Sequence, residues 1–242
     1  MIGPWKTAIV TGASQGIGAG VVEAFVERGF NVVANSRKMT QSTEVAASSF
    51  VALVDGHIGE PATAARIVET ALSRFKSIDV LINNAGIFFT KPFTDYTTED
   101  FKSLVSTNVE GFLYVTQLTV KQMLAQKIGG SIVTITAALA ANPIAGVKAS
   151  VPMITKGGLD TITKHLAIEY AKDGIRFNAV APGVVDTPLH KNDPKEALQS
   201  LNPMGILSSV KDIVDAVLYL TEARTVTGEI LNVDSGAHTG RW

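Results

Sequence analysis

A chain of 242 residues, 46% hydrophobic and 18% charged, carries enough apolar material for one large α/β domain with a substantial core. Its formal net charge of −1 gives no global attraction to nucleic acid or to acidic membranes, and the lack of cysteine excludes disulfides, thiolate catalysis and cysteine metal sites. The four histidines, His57, His165, His190 and His238, are scattered and show no metal-ligand spacing.

The opening MIGPWKTAIV runs into an apolar segment without a long hydrophobic leader, and no stretch is long and apolar enough to span a bilayer. A cytoplasmic protein is the expectation. Lys6–Val10 reads as a first strand and Gly16–Arg28 as the helix after it. Short strands are predicted at Asn31–Asn35 and Phe50–Val54, then an amphipathic helix over Pro61–Phe75. Asp79–Asn83 is a continuous apolar run, the pattern of a strand buried on both faces. A long helix over Thr98–Gln126 precedes a β-branched strand at Ser131–Thr136. Pro152–Lys172, Arg176–Val180, Val210–Thr221 and Glu229–Val233 continue the alternation. Regular β-then-α order predicts a parallel sheet with helices on both faces, residues 1–242 forming a single domain. The irregular stretch 187–207, with prolines at 188, 194 and 203, reads as a surface excursion or as a flap over a site.

TGASQGIG at 11–18 follows the first strand and opens the first helix. Gly12 permits a tight turn, while Gly16 and Gly18 let backbone, helix and a bulky phosphate approach one another. The helix N-terminus then offers free N–H groups to an anion.

In this setting the chain resembles the classical short-chain dehydrogenase/reductase family over nearly its whole length. The motifs are Thr11 to Gly18, the NNAG of Asn83 to Gly86, Asn108 within STNVEGF, Pro182-Gly183 with Thr187, and the closing GEILNVDSGAH. The resemblance implies a Rossmann-type three-layer sandwich with a seven-stranded parallel sheet, assembled as a homotetramer or homodimer. It implies that Ser14, Gln15 and Ile17 line the pyrophosphate and ribose of a nicotinamide dinucleotide. Asn83, Ala85 and Gly86 would pass beneath the adenosine half, and Pro182, Gly183, Val185 and Thr187 would hold the carboxamide. After the third strand, either Asp55 or the pair His57-Ile58 stands where the family contacts adenine, with His57-Ile58 favoured by its place before GEP.

At the end of the second strand the chain reads Asn35-Ser36-Arg37-Lys38, without a carboxylate. A 2′-phosphate would meet a hydroxyl and one or two cations there, so NADP(H) is expected over NAD(H).

The resemblance also gives Lys156 and Asn108 catalytic roles, Lys156 holding the ribose hydroxyls as well. The family's tyrosine, four residues before the lysine, is replaced by Pro152. Its serine is replaced by the small apolar run Ala137-Ala138-Leu139. Thr136 is adjacent, but strand alternation turns it to the other face. Proline suits the first turn of a helix, so the exchange preserves the fold while removing the acid. Lys156 itself could move the proton if burial lowers its pKa. Ser150, Lys148 and His190 are further candidates, and His165 reads as packing or surface. Phe88, Phe89 and Phe93 could line an apolar pocket.

The expected function is hydride transfer to or from a small carbonyl, alcohol or activated alkene through a non-standard acid–base site. The alternatives are a nucleotide-binding sensor or partner subunit that has lost turnover, and a lyase or epimerase on the same scaffold.

Overall fold

The computed structural model describes residues 5–190 and 193–240, apart from the side chain of His190. Strands β1 (Thr7–Thr11) and β4 (Val80–Asn83) are buried along their whole length. They are joined in one sheet by β2 (Asn31–Ser36), β3 (Val51–Asp55), β5 (Gly130–Ile135), β6 (Ile175–Pro182) and β7 (Ile230–Val233). The order is β3-β2-β1-β4-β5-β6-β7 and every neighbouring pair is parallel, as the β-then-α order predicts. The order reverses between β1 and β4, and a crevice opens there at the carboxyl ends of the strands.

Alternation along each strand divides the core into two layers. Val10, Val32, Ile82 and Val180 pack under α1 (Gly16–Glu27) and α7 (Val210–Glu222) through Phe25, Ile213 and Val217. Ile9, Val33, Leu81 and Ile132 face the opposite way, against α2 (Pro61–Phe75), α4 (Gly111–Gln126) and α5 (Ser150–Glu169) through Ile67, Met123 and Ala167.

Local chemistry sets the helix ends. Pro61 opens α2, where its missing N–H would have had no helical partner. Capping boxes at Thr97/Asp100 and Ser209/Asp212 start α3 (Thr98–Leu104) and α7. The helix expected over Thr98–Gln126 is interrupted. Val105–Glu110 forms a π-helical turn between α3 and α4, and that turn carries Asn108. Helix α5 begins at Ser150, which puts Pro152 in its first turn as the sequence suggests.

The excursion over 187–207 leaves β6 and returns at a bridge between Val185 and Ser208, and it includes the short helix α6 (Lys195–Gln199). No helix among the described residues is long and apolar enough to cross a membrane.

Candidate active site

Two loops meet at the switch point, and their side chains bind them together. The hydroxyl of Thr11, at the end of β1, accepts the N–H groups of Asn84 (3.1 Å) and Ala85 (3.0 Å) from the loop after β4. Asn84 returns the contact, its Nδ2 donating to the carbonyls of Thr11 and Gly12, both at 3.0 Å. This close approach explains the glycines. Gly12 has φ of +64°, and a Cβ there would lie 2.8 Å from the Cα of Ala85. A Cβ on Gly18 would lie 2.2 Å from the Gly12 carbonyl oxygen. Asn84 was not singled out in the sequence, although NNAG was. Only the fold shows that its amide spans both loops.

The N-terminus of α1 points into the crevice. Gln15, its cap residue, makes no side-chain capping bond, and the first turn holds no acidic residue. The leading N–H groups are therefore left to an acceptor from elsewhere. A bare glycine cradle, a helix N-terminus aimed into the crevice and close backbone approach fit a dinucleotide.

The crevice continues into a cleft of about 820 Å³. Of the sequence candidates, Gly12, Gln15, Gly16, Ile17, Ala85, Gly86, Lys156, Pro182, Gly183, Val185 and Thr187 line it. Its outer part is apolar, walled by Ile87, Phe88, Phe89, Leu139, Ile144 and Val147, with Pro188, Leu189, Leu198 and Leu201 from the 187–207 excursion. Phe93 is exposed instead.

The other candidates lie around this cleft. The carbonyl of Ser14 accepts a bond from the Ser42 hydroxyl (2.8 Å). Asn35 is turned into the fold, its Nδ2 donating to the carbonyls of Val54 (2.9 Å) and Gly56 (3.3 Å). Ser36, Arg37 and Lys38 follow at the end of β2, the two cations exposed. Among the described residues neither cation has an ion-pair partner. His57 accepts the Gly59 N–H at Nδ1 (3.1 Å), so its neutral ring presents Nε2–H to the Thr107 hydroxyl (3.3 Å). Ile58 is buried against Gly111. Asp55 is engaged by Thr40, whose hydroxyl (2.6 Å) and N–H (2.8 Å) hold its carboxyl below the usual range. Asn83 is buried and donates to the Thr116 hydroxyl (3.0 Å).

At the cleft floor, Lys156 is only 8% exposed, and its Nζ donates to the carbonyl of Ile135 (2.8 Å). Gly86 makes room for it, since a Cβ there would stand 3.2 Å from that Nζ and 3.3 Å from Asn108 Oδ1. Burial pushes the Lys156 ammonium down to about 8, against the opposing charge of Asp160 one turn further along α5. Asp160 is itself pushed up by burial, countered by the nearby Thr136 hydroxyl and by Lys156. It is a neighbour the sequence reading did not name, although its i+4 spacing on the helix was available as a signal.

Asn108 makes three hydrogen bonds through its side chain. Oδ1 accepts the Ile87 N–H (2.9 Å), and Nδ2 donates to the Ile87 carbonyl (3.1 Å) and the Thr155 hydroxyl (3.0 Å). Thr155 in turn donates to the carbonyl of Pro152 (2.7 Å). The π turn, the loop after β4 and the start of α5 are thus tied together beside Lys156.

Strand alternation would turn Thr136 to the other face, but Thr136 lines the cleft, its hydroxyl lying near Asp160 and 3.4 Å from the Val180 carbonyl. Ser150, Lys148 and His165 are exposed and do not line the cleft. The imidazole of His190 lies outside the described residues. Among the described lining residues there is no tyrosine, serine or histidine. No group of metal-ligating side chains occurs among the described residues.

The family described as enoyl-(acyl carrier protein) reductase matches residues 12–238. L-xylulose reductase of Bos taurus is 34% identical over 240 residues, covering 96% of each chain. The crystal structure of 3-ketoacyl-(acyl-carrier-protein) reductase from Brucella melitensis, complexed with NADH, superposes with a TM-score of 0.90 at 31% identity, over 96% of this chain and 98% of that one. A Tyr-to-Phe variant of ElxO with NADPH bound superposes with a TM-score of 0.88 at 26% identity, over 98% of this chain and 100% of that one.

Proposed function

Because the chain belongs to the classical short-chain dehydrogenase/reductase family and is an oxidoreductase of that type, we propose that it prefers NADP(H) and uses Lys156 itself to handle the proton. The substrate is a small carbonyl, alcohol or activated alkene seated in the apolar outer part of the cleft. The observation that carries this reading is a buried amine at the cleft floor, with a pKa lowered to about 8, where the described lining offers no phenol, imidazole or serine hydroxyl.

The dinucleotide, when bound, supplies or takes the hydride. The chain does the rest. Gly12, Gly16 and the first N–H groups of α1 would receive the dinucleotide's phosphates, and Gly86, Gly183 and Thr187 line the cleft with Lys156. The apolar walls exclude water and strengthen every charge inside. Lys156 holds the transferable proton at Nζ, steadied by the Ile135 carbonyl, while Asn108 and Thr155 act as positioning residues for its helix.

This assignment has a pH signature. Reduction needs the ammonium form, so reductive kcat/KM should be level below about pH 8 and fall above it. Oxidation needs the neutral amine and should rise through the same range. A reductive profile that stays flat to pH 10 would remove Lys156 from proton transfer.

The cofactor preference rests on Arg37 and Lys38, exposed and without ion-pair partners among the described residues, beside the Ser36 hydroxyl. Calorimetric titration should show NADPH binding tighter than NADH. Equal or tighter NADH binding would overturn the preference, and no binding of either would overturn the oxidoreductase reading. The absence of tyrosine and serine from the described lining favours a second reading, a nucleotide-binding sensor or partner subunit without turnover. Tight NADPH binding with no oxidation of the cofactor across a broad carbonyl and enone screen would select it. The ElxO variant shows that a relative can carry NADPH after loss of a tyrosine hydroxyl.

We further propose a cytoplasmic homotetramer or homodimer. Phe101, Leu113, Leu124, Ile154 and Ile168 leave apolar surface exposed on α3, α4 and α5, and a second copy of the chain would cover it.

A further inference from the structure

The connection between β2 and β3 contains no α-helix, and it folds back across the glycine turn. It has one short turn of helix at Met39–Gln41, then runs on to Val51. Two buried side chains, Met39 and Val45, anchor it in the core beneath α1. Between them the Ser42 hydroxyl donates to the Ser14 carbonyl (2.8 Å) and accepts the N–H groups of Glu44 and Val45 (both 3.2 Å). Ser42 therefore uses its hydrogen and both lone pairs to pin this segment against the dinucleotide loop.

The pinning delivers a charge to an unexpected place. Oε2 of Glu44 accepts the N–H of Gly16, the first residue of α1, at 3.2 Å. Gly16 lines the cleft, and its N–H belongs to the helix terminus that receives the dinucleotide's phosphates. The carboxylate comes from 28 residues away and fills the role that neither Gln15 nor the first turn of α1 supplies. The segment that carries it also carries Arg37 and Lys38 at its start, so one exposed connection bears charges of both signs.

Resting on the dinucleotide reading above, we propose that Glu44 is a built-in anionic competitor for the glycine turn, and that it sets how strongly the chain discriminates NADPH from NADH. Either cofactor must displace the carboxylate from the Gly16 N–H. The displaced group is exposed and can swing into solvent, but its backbone stays tethered by Ser42 and Val45. It therefore remains close to the bound phosphates. NADPH carries an additional phosphate and is repelled more, so Glu44 opposes the attraction exerted by Arg37 and Lys38. The discrimination of the natural protein is the balance of the two.

The test is Glu44→Gln, which keeps side-chain length and an oxygen able to accept the Gly16 N–H while removing the charge. NADPH and NADH are titrated calorimetrically into wild type and variant at low and at high ionic strength. The expected result is NADPH bound about threefold to fivefold tighter by the variant, NADH less than about twofold tighter, and a difference that shrinks as salt rises. Unchanged affinity for both cofactors would overturn the inference while leaving the oxidoreductase reading intact. So would weaker NADH binding by the variant, which would make Glu44 a ligand to the ribose. Failure of both proteins to bind either cofactor would overturn the oxidoreductase reading and this inference together.

Discussion

Replacing Lys156 with methionine is expected to lower kcat/KM by at least about 100-fold and, at pH 7, to make the protein without cofactor more stable. The loss follows from the proposed place of the amine as the proton-handling group of the cleft floor. The gain follows from what holding that amine there costs. Burial lowers its pKa from the ordinary 10.5 to about 8, so folding disfavours the charged form. The sign is fixed by which state binds the proton more tightly. Between about pH 8 and 10.5 the unfolded chain holds a proton the folded one has released, so the penalty is complete below about 8 and is relieved as pH rises towards 10.5. Methionine matches the stem without the charge. Asp160 loses its partner in the exchange, which offsets part of the benefit. A net gain of about 2 kcal/mol at pH 7, or roughly 4–8 °C in Tm for a chain of this size, is expected, shrinking towards zero at pH 10. Chemical denaturation across this pH range checks it. A destabilised variant, or a gain indifferent to pH, would contradict the account.

Gly18→Ala should abolish measurable dinucleotide binding and cost about 2–3 kcal/mol of stability. The added methyl would meet the Gly12 carbonyl oxygen at 2.2 Å, the Asn84 Nδ2 at 2.7 Å and the Ala13 Cα at 2.9 Å. Two of these are backbone atoms and the third is the amide that joins the loops, so relief requires the turn itself to open. Gly158→Ala is the control. That glycine lies within α5, exposed, with nothing within 4 Å of a Cβ, so alanine should stabilise by about 0.5–1 kcal/mol. Thermal melts of both variants, with NADPH titration of the first, separate a steric requirement from a general intolerance of alanine. Near-normal NADPH affinity in Gly18→Ala would show that the turn can relax without losing its grip on phosphate.

The parts of this molecule that could be read from its residues are those where backbone geometry dictates residue type. Gly12 and Gly18 are needed because two loops touch, and their spacing after a β-branched run marks the switch point before any coordinate is known. The apolar run at 79–83 announces a strand covered on both faces, and β4 is one. What was hidden depends on contacts between distant segments. The π turn at Val105–Glu110 leaves an apolar pattern close to that of an unbroken helix, so the latch made by Asn108 between Ile87 and Thr155 cannot be seen from periodicity. Asn35 opens the stretch at the end of β2 expected to contact the cofactor. Its amide satisfies carbonyls of the neighbouring strand and turn, which only the pairing of β2 with β3 brings near. Glu44 belongs to a segment with no periodicity at all, and its relation to Gly16 exists only after that segment has folded back.

The bridge between Val185 and Ser208 has a consequence for how such a protein can diversify. The two ends of the 187–207 excursion are clamped by the Asp186 N–H to the Ser208 carbonyl (2.9 Å) and the Ser208 N–H to the Val184 carbonyl (3.2 Å). Whatever lies between leaves and returns at a fixed gate. The entropy of closing a loop grows only slowly with its length, about 0.6 kcal/mol for each doubling. Residues can therefore be inserted, deleted or exchanged inside this interval at little expense to folding. The glycine turn lies against the start of the interval, Thr187 and Pro188 each standing 3.6 Å from a Cβ placed on Gly16, so the remainder of the interval is the part open to change. The excursion behaves as a cassette whose inner side chains, Leu189, Leu198 and Leu201 among them, face the cleft. Lineages sharing this sheet can thus try new substrates by editing the part of the interval beyond Pro188, while the glycine turn and Thr187 are inherited unaltered.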